Sequence, residues 1–181
     1  MPEGAQIPRP SSSGRRAGFW GWLLAAAAII IVDQQTKVHF DSLLQYGERR
    51  AVLPFFDFTL LYNPGAAFSF LADGHGWQRW LFTAIALAAT GLILYLLRKN
   101  PEQKLFCASL ACILGGAIGN LIDRVQHGHV IDFLLFYWES WFFPAFNVAD
   151  VAISCGAALL ILDEILRMRR GRKQPDSSPQ G

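Results

Sequence analysis

Long uncharged blocks constrain this chain more than any other feature. A helix needs about 20 mostly apolar residues to cross a hydrocarbon core of roughly 30 Å, and in lipid its backbone amides must bond within their own segment. Four segments meet or approach that length, at about 18–40, 80–97, 105–122 and 148–166. The second and third are near the short end of the range, which tilt and flanking residues accommodate. Hydrophobic residues make up 52% of the 181 and charged residues 17%, against roughly 25% charged in soluble domains. The apolar residues are gathered in blocks instead of amphipathic stripes. The predicted fold is therefore an all-α membrane protein with four transmembrane helices over 18–166 and a small β-rich outward segment at about 41–79, between a disordered tail at 1–17 and a basic tail at 167–181 that reads as disordered from 171.

Charge placement supplies an orientation. Arg9, Arg15 and Arg16 precede the first block; Arg98, Lys99 and Lys104 lie between the second and third; Arg167, Arg169, Arg170, Arg172 and Lys173 follow the fourth. Most of the 16 Lys and Arg residues thus fall on one side of a four-span arrangement. The positive-inside rule makes that side cytoplasmic. Both termini then face inward, and residues 41–79 and 123–147 face outward. The basic C-terminal tail directly follows a span and reads as a topology determinant, not as a nucleic-acid arm. The first span reads as retained, because Val32-Asp33-Gln34-Gln35-Thr36-Lys37 contains no small-residue cleavage site. Cys107, Cys112 and Cys155 all fall within predicted spans and read as buried free thiols, not as a disulfide framework.

The first outward segment has a β signature. Ala51-Val52-Leu53 and Phe55-Phe56-Asp57-Phe58-Thr59-Leu60-Leu61-Tyr62 are rich in β-branched and aromatic residues and are separated by Pro54, which predicts one or two short strands at the membrane surface. Asn63-Pro64-Gly65 is a turn signal. Trp77, Trp80, Tyr137, Trp138 and Trp141 lie where an interfacial aromatic belt is expected.

Ionisable residues near a bilayer are costly and are candidate functional residues by default. Asp33 and Lys37 are four residues apart on one helix face, an arrangement that an ion pair at the outer interface explains. Gly115, Gly116 and Gly119 form a face for close helix packing, followed by Asn120, Asp123 and Arg124. Asp132 lies beyond the third span, and Asn147 and Asp150 open the fourth. Two close carboxylates share one proton, because like charges a few ångströms apart cannot both ionise; such a pair can hydrolyse an amide without a metal. Asp33, Asp123, Asp132 and Asp150 are all candidates for that pair. Three readings compete with it. His127, His129 and Asp132 offer a set of zinc ligands, although no HExxH helix is present. The aspartates are also compatible with a proton-coupled transporter, although no internal repeat is evident. The small-residue face of the third span would equally suit an assembly or anchor protein.

Five blocks in order resemble the signal peptidase II (lipoprotein signal peptidase) family of bacterial membrane aspartic proteases. They are Asp33-Gln34-Gln35-Thr36-Lys37, Tyr62-Asn63-Pro64-Gly65-Ala66-Ala67-Phe68, Gly115-Gly116-Ala117-Ile118-Gly119-Asn120-Leu121-Ile122-Asp123-Arg124, Gly128-His129-Val130-Ile131-Asp132-Phe133 and Pro144-Ala145-Phe146-Asn147-Val148-Ala149-Asp150. The resemblance spans about residues 18–166. It implies that Asp132 and Asp150 are the catalytic pair. It also implies that Asn63, Asn120, Arg124, Asn147, Asp33 and Lys37 line or support the site, with Asp123 orienting Arg124. No metal or cofactor is implied. The implied substrate is a prolipoprotein cleaved before a diacylglyceryl-modified cysteine, at the outer face of the bacterial inner membrane, with residues 51–71 covering the peptide. Further implications are contact with membrane lipids, inhibition by globomycin and a monomeric state.

Overall fold

The computed structural model describes residues 12–65 and 77–171. Four long helices alternate with four strands. They are α1 (Ser12–Leu43), β1 (Arg49–Leu53), β2 (Phe56–Asn63), α2 (Trp77–Lys99), α3 (Lys104–Gln126), β3 (Val130–Trp138), β4 (Trp141–Phe142) and α4 (Val148–Gly171). Every helix covers its predicted block and runs beyond it. The largest extensions fall on the expected tails, since α1 already begins at Ser12 and α4 continues to Gly171. The remainders of both tails lie outside the described residues.

Three helical stretches are long and apolar enough to cross a bilayer: Arg16–Leu43, Trp77–Lys99 and Lys104–Gln126. The fourth helix does not reach that standard. Its uncharged run extends from Val151 to Leu162 and is bounded by Asp150 on one side and Asp163 and Glu164 on the other. The expectation of four spans on hydropathy alone is therefore met by three.

The sheet is larger than predicted. Its strands are all antiparallel in the order β1-β2-β3-β4; β1 and β2 form the β-rich segment expected between the first two helices, and the other half of the sheet comes from the loop between α3 and α4. The reason is visible in Val130-Ile131-Asp132-Phe133-Leu134-Leu135-Phe136-Tyr137-Trp138. This stretch carries the same β-branched and aromatic signature as β2 and pairs with it over most of its length. Strands lie between α1 and α2 and between α3 and α4 in the chain, and both α1 and α3 pack against β3.

Helix α3 is the one on which the other three pack. Its buried Cys107, Leu110 and Leu114 join Ala26 of α1 and Ile93 and Leu97 of α2 in one apolar cluster. A second cluster joins helix end to sheet: Phe40 and Leu44 of α1 meet Leu60, Ile131 and Phe133, with the Phe40 and Phe133 rings stacked at 4.5 Å. Of the cysteines, only Cys107 is fully buried; Cys155 is exposed on α4, contrary to the buried-thiol expectation.

The α3–α4 contact depends on a missing side chain. A Cβ at Gly116 would fall inside contact distance of the Ala149 carbonyl oxygen and 2.7 Å from Ile153 Cγ1. Backbone cannot yield as a flexible side-chain tip would, so α4 would have to move away. Gly116→Ala is expected to destabilise the fold by about 1–3 kcal/mol, the usual cost of overpacking. Gly91→Ala, with open space around its position, should leave the thermal midpoint in detergent unchanged or slightly raised. Equal midpoints for the two variants would contradict this account of the helix contact.

Candidate active site

The polar residues converge where the sheet meets the helix ends. Asp150 is held by its own helix start. Asn147 precedes α4, and its Oδ1 accepts the Asp150 N–H at 3.0 Å, while the Asn147 N–H donates to Asp150 Oδ2 at 3.3 Å. This reciprocal pair is a capping box built from Asn and Asp. It fixes the Asp150 rotamer and puts a carboxylate at the positive end of the helix dipole. The other carboxylate oxygen, Oδ1, accepts from Asn120 Nδ2 at 2.8 Å.

Asp132 is held by the sheet. Asn63 of β2 lies opposite Val130, so Asp132 is its diagonal neighbour on the same face, within side-chain reach. Asn63 Nδ2 donates to Asp132 Oδ2 at 3.1 Å. The Asn63 amide is oriented by its turn, because its Oδ1 accepts the Gly65 N–H at 2.9 Å, an Asx-turn closed by Gly65 at a φ of 106°. Asn147 Nδ2 donates to Asp132 Oδ1 at 2.7 Å, so Asn147 touches both carboxylates. Burial, and then the neighbouring Asp150 charge, push Asp132 up to about 7 against the opposing pull of the two amides.

Beneath this pair lies a buried ion cluster. Lys37 is 1% exposed, with Asp33 at 0% and Asp123 at 2%. Its ammonium has three donors, which meet Asp33 Oδ2 at 2.8 Å, Asp123 Oδ2 at 2.9 Å and Asn120 Oδ1 at 2.9 Å. The Asp33–Lys37 ion pair that the spacing allowed is thus formed, and it is buried among protein side chains. Asp123 also differs from expectation. Its hydrogen-bonding and ionic partners are Lys37, Gln34 and the Ile131 N–H, instead of Arg124. Asp33 Oδ1 accepts the Ala149 N–H at 2.8 Å and so caps α4 from α1.

Arg124 lies over the Phe82 ring of α2 at 5.2 Å and donates to the Asn120 carbonyl oxygen at 3.2 Å. Its Nε is buried and has no partner among the described residues, an unusual state for such a donor. The histidines of the zinc reading are occupied differently. His129 packs on the Tyr62 ring at 4.3 Å, burial and then His127 hold it below its ordinary value, and no group of three potential ligands forms among the described residues. Residues 66–71 of the expected cover lie outside the described residues.

Two participants escaped sequence reading. Gln34 Nε2 reaches Asp33 Oδ2, Asp123 Oδ1 and the Gly119 carbonyl at 3.2, 2.9 and 3.1 Å. Its spacing of three from Lys37 placed it on the same helix face, which was the available signal. Phe82 carried none, because an aromatic residue inside an apolar block is indistinguishable from core.

The signal peptidase II family profile matches residues 25–166. The chain is 55% identical over 151 residues to a lipoprotein signal peptidase of Paraburkholderia phymatum, covering 83% of this chain and 91% of that one. It is 54% identical over 151 residues to one of Burkholderia mallei, with the same coverage of 83% and 91%. A solved structure described as a bacterial membrane enzyme determined by the in meso method at 2.3 Å superposes with a TM-score of 0.74 at 27% identity, covering 87% of this chain and 94% of that chain. A second such structure, at 1.9 Å, gives 0.69 at 29% identity over 78% and 90%.

The amides of Asn63 and Asn147 both favour the ionised form of Asp132. Asn63→Leu removes one donor, so the titration midpoint of the Asp132 carboxyl, followed by its infrared band in detergent, should rise above about 7. A midpoint that falls or stays put would show that the Asn63 bond does not stabilise the charge.

Proposed function

The chain belongs to the signal peptidase II family, and on that premise we propose that it is an aspartic endopeptidase that removes signal peptides from prolipoproteins. Its substrate carries a diacylglyceryl group on cysteine, and the bond cut is the one just before that residue. Asp132 and Asp150 form the catalytic pair. The observation that carries this reading is the shared contact of both carboxylates with Asn147, whose Nδ2 donates to Asp132 Oδ1 at 2.7 Å and whose backbone N–H donates to Asp150 Oδ2 at 3.3 Å.

The surroundings favour different roles for the two acids. Asp150 receives a backbone N–H at a helix start, where negative charge is stabilised, and acts as the base. Asp132, raised to about 7, holds the shared proton. Asp150 takes a proton from water as the water oxygen adds to the scissile carbonyl carbon, and Asp132 gives its proton to the carbonyl oxygen. The resulting diol collapses as Asp150 protonates the leaving nitrogen, the C–N bond breaks, and a diol proton returns to Asp132. Arg124, with its unpartnered Nε, supplies a donor for a substrate carbonyl.

Helix α4 completes a four-span topology in the bacterial inner membrane, with both termini cytoplasmic. Arg167, Arg169 and Arg170 at its end support that orientation, and the Asp150 end then faces outward. Globomycin, a cyclic peptide, would occupy the same pocket.

Purified protein in detergent with a diacylglyceryl-modified precursor should release the signal peptide. Asp132→Asn and Asp150→Asn should each lower the rate by on the order of 10³-fold while the protein still accumulates; full activity in either variant would remove it from the pair. The pH profile has a definite sign. Below about 7 the pair retains its proton, and above that value it loses the acid needed for carbonyl protonation, so the rate should fall as pH rises through about 7. A rate that climbs steadily through pH 8 to 9 would contradict proton storage on Asp132.

A further inference from the structure

We propose that Lys37 is a positioning residue, whose ammonium fixes the rotation of the Asn120 side chain so that the amide nitrogen donates to Asp150. The inference rests on the reading of Asp132 and Asp150 as the catalytic pair. An asparagine amide has one accepting and one donating end. Lys37 Nζ donates to Asn120 Oδ1 at 2.9 Å, and Asn120 Nδ2 donates to Asp150 Oδ1 at 2.8 Å. Turned through half a revolution, the amide would set oxygen against the Asp150 carboxylate and its N–H groups against the ammonium. Both contacts would then be repulsive.

The second donor to Asn120 Oδ1 is weaker. Asn147 Nδ2 lies at 3.2 Å and is also engaged by Asp132 and the Ile131 carbonyl, whereas the bond from Lys37 is charge-assisted. The ammonium is itself aimed. One carboxylate would neutralise it, yet it has two, from different helices, at 2.8 and 2.9 Å. Gln34 bridges both acids from the opposite side. Gly119 gives the cluster room, since a Cβ there would sit 2.5 Å from Asp33 Oδ2. Three of the four atoms around Nζ are therefore set, and the remaining donor direction is the one that Asn120 occupies.

Replacing Lys37 alone leaves two buried carboxylates unpaired and tests folding as much as positioning. The variant that separates the two is Lys37→Met with Asp123→Asn, which removes one positive and one negative charge and keeps the net charge of the cluster. Purified in detergent and assayed on the diacylglyceryl-modified precursor, it should fold, retain the wild-type KM and lose about 100-fold in kcat, the scale of a misplaced catalytic group. In an Asn120→Leu background, which lacks the amide, the same two changes should cost no further rate, as expected for groups acting through one contact. A charge-balanced variant with wild-type kcat would overturn the proposal. So would one that fails to fold, or one whose loss multiplies that of Asn120→Leu, because each marks the ammonium as structural support only. These outcomes are distinct from failure of the functional reading itself, in which the wild-type chain leaves the precursor intact or the Asp132→Asn and Asp150→Asn variants cleave it.

Discussion

A lysine ammonium enclosed between two carboxylates holds this molecule together at the end that carries its candidate active site. Removing an ion from water costs several kcal/mol even after relaxation, and Lys37, Asp33 and Asp123 are all buried. The cost is offset only because almost every lone pair and proton in the cluster has a partner. Those partners lie on other elements. Asp33 reaches the first turn of α4 through the Ala149 N–H, and Asp123 reaches β3 through the Ile131 N–H. Asp150 lies one residue beyond the first contact and Asp132 one residue beyond the second. The two proposed catalytic carboxylates, far apart in secondary structure, are thereby fixed to one ionic centre on α1 and α3.

That centre also depends on absent side chains. Gly116 lets α4 approach α3 closely enough for Asp33 to reach Ala149, and Gly119 leaves space for the Asp33 carboxylate. The small-residue face of α3 therefore does more than pack helices. It sets the distance over which a buried charge network can close. Apolar packing alone would tolerate small shifts between helices, but hydrogen bonds near 2.8 Å lose strength steeply with distance and angle.

Sequence exposed the helices because each is a long uncharged block, and it exposed β2 because aromatic and β-branched residues cluster there. It concealed β3, although its composition is as strand-like, because a short, nearly continuous apolar run has no periodicity that separates strand from helix. Hydropathy also overstated α4, whose apolar run is shorter than its helix. At the site, charge cost raised four aspartates without ranking them. The ranking needs three-dimensional information. Asp33 and Asp123 meet a cation, whereas Asp132 and Asp150 meet amides. No residue spacing encodes that difference, since Lys37 is four residues from one acid but remote in sequence from the other. Local signals were better: Asn63-Pro64-Gly65 marked a turn, and the turn is what aims the Asn63 amide.

The proposed hydrolysis requires water at a place reached by a lipid-embedded substrate. The position of the sheet is compatible with both demands. Trp77 and Trp80 of α2 and Trp138 and Trp141 of the sheet hairpin are all exposed at the end of the molecule that carries the aspartates. Amphipathic rings favour the headgroup level, which on the proposed topology sets that end near the boundary where water is available and acyl chains remain in hydrocarbon. The sheet then serves a second purpose. Its strands satisfy one another's backbone bonds, which an irregular segment exposed to lipid would leave unmade. From that edge Asn63 and Asp132 face the start of α4, so the proposed catalytic carboxylates are met by amides on one side and by a buried ion cluster on the other.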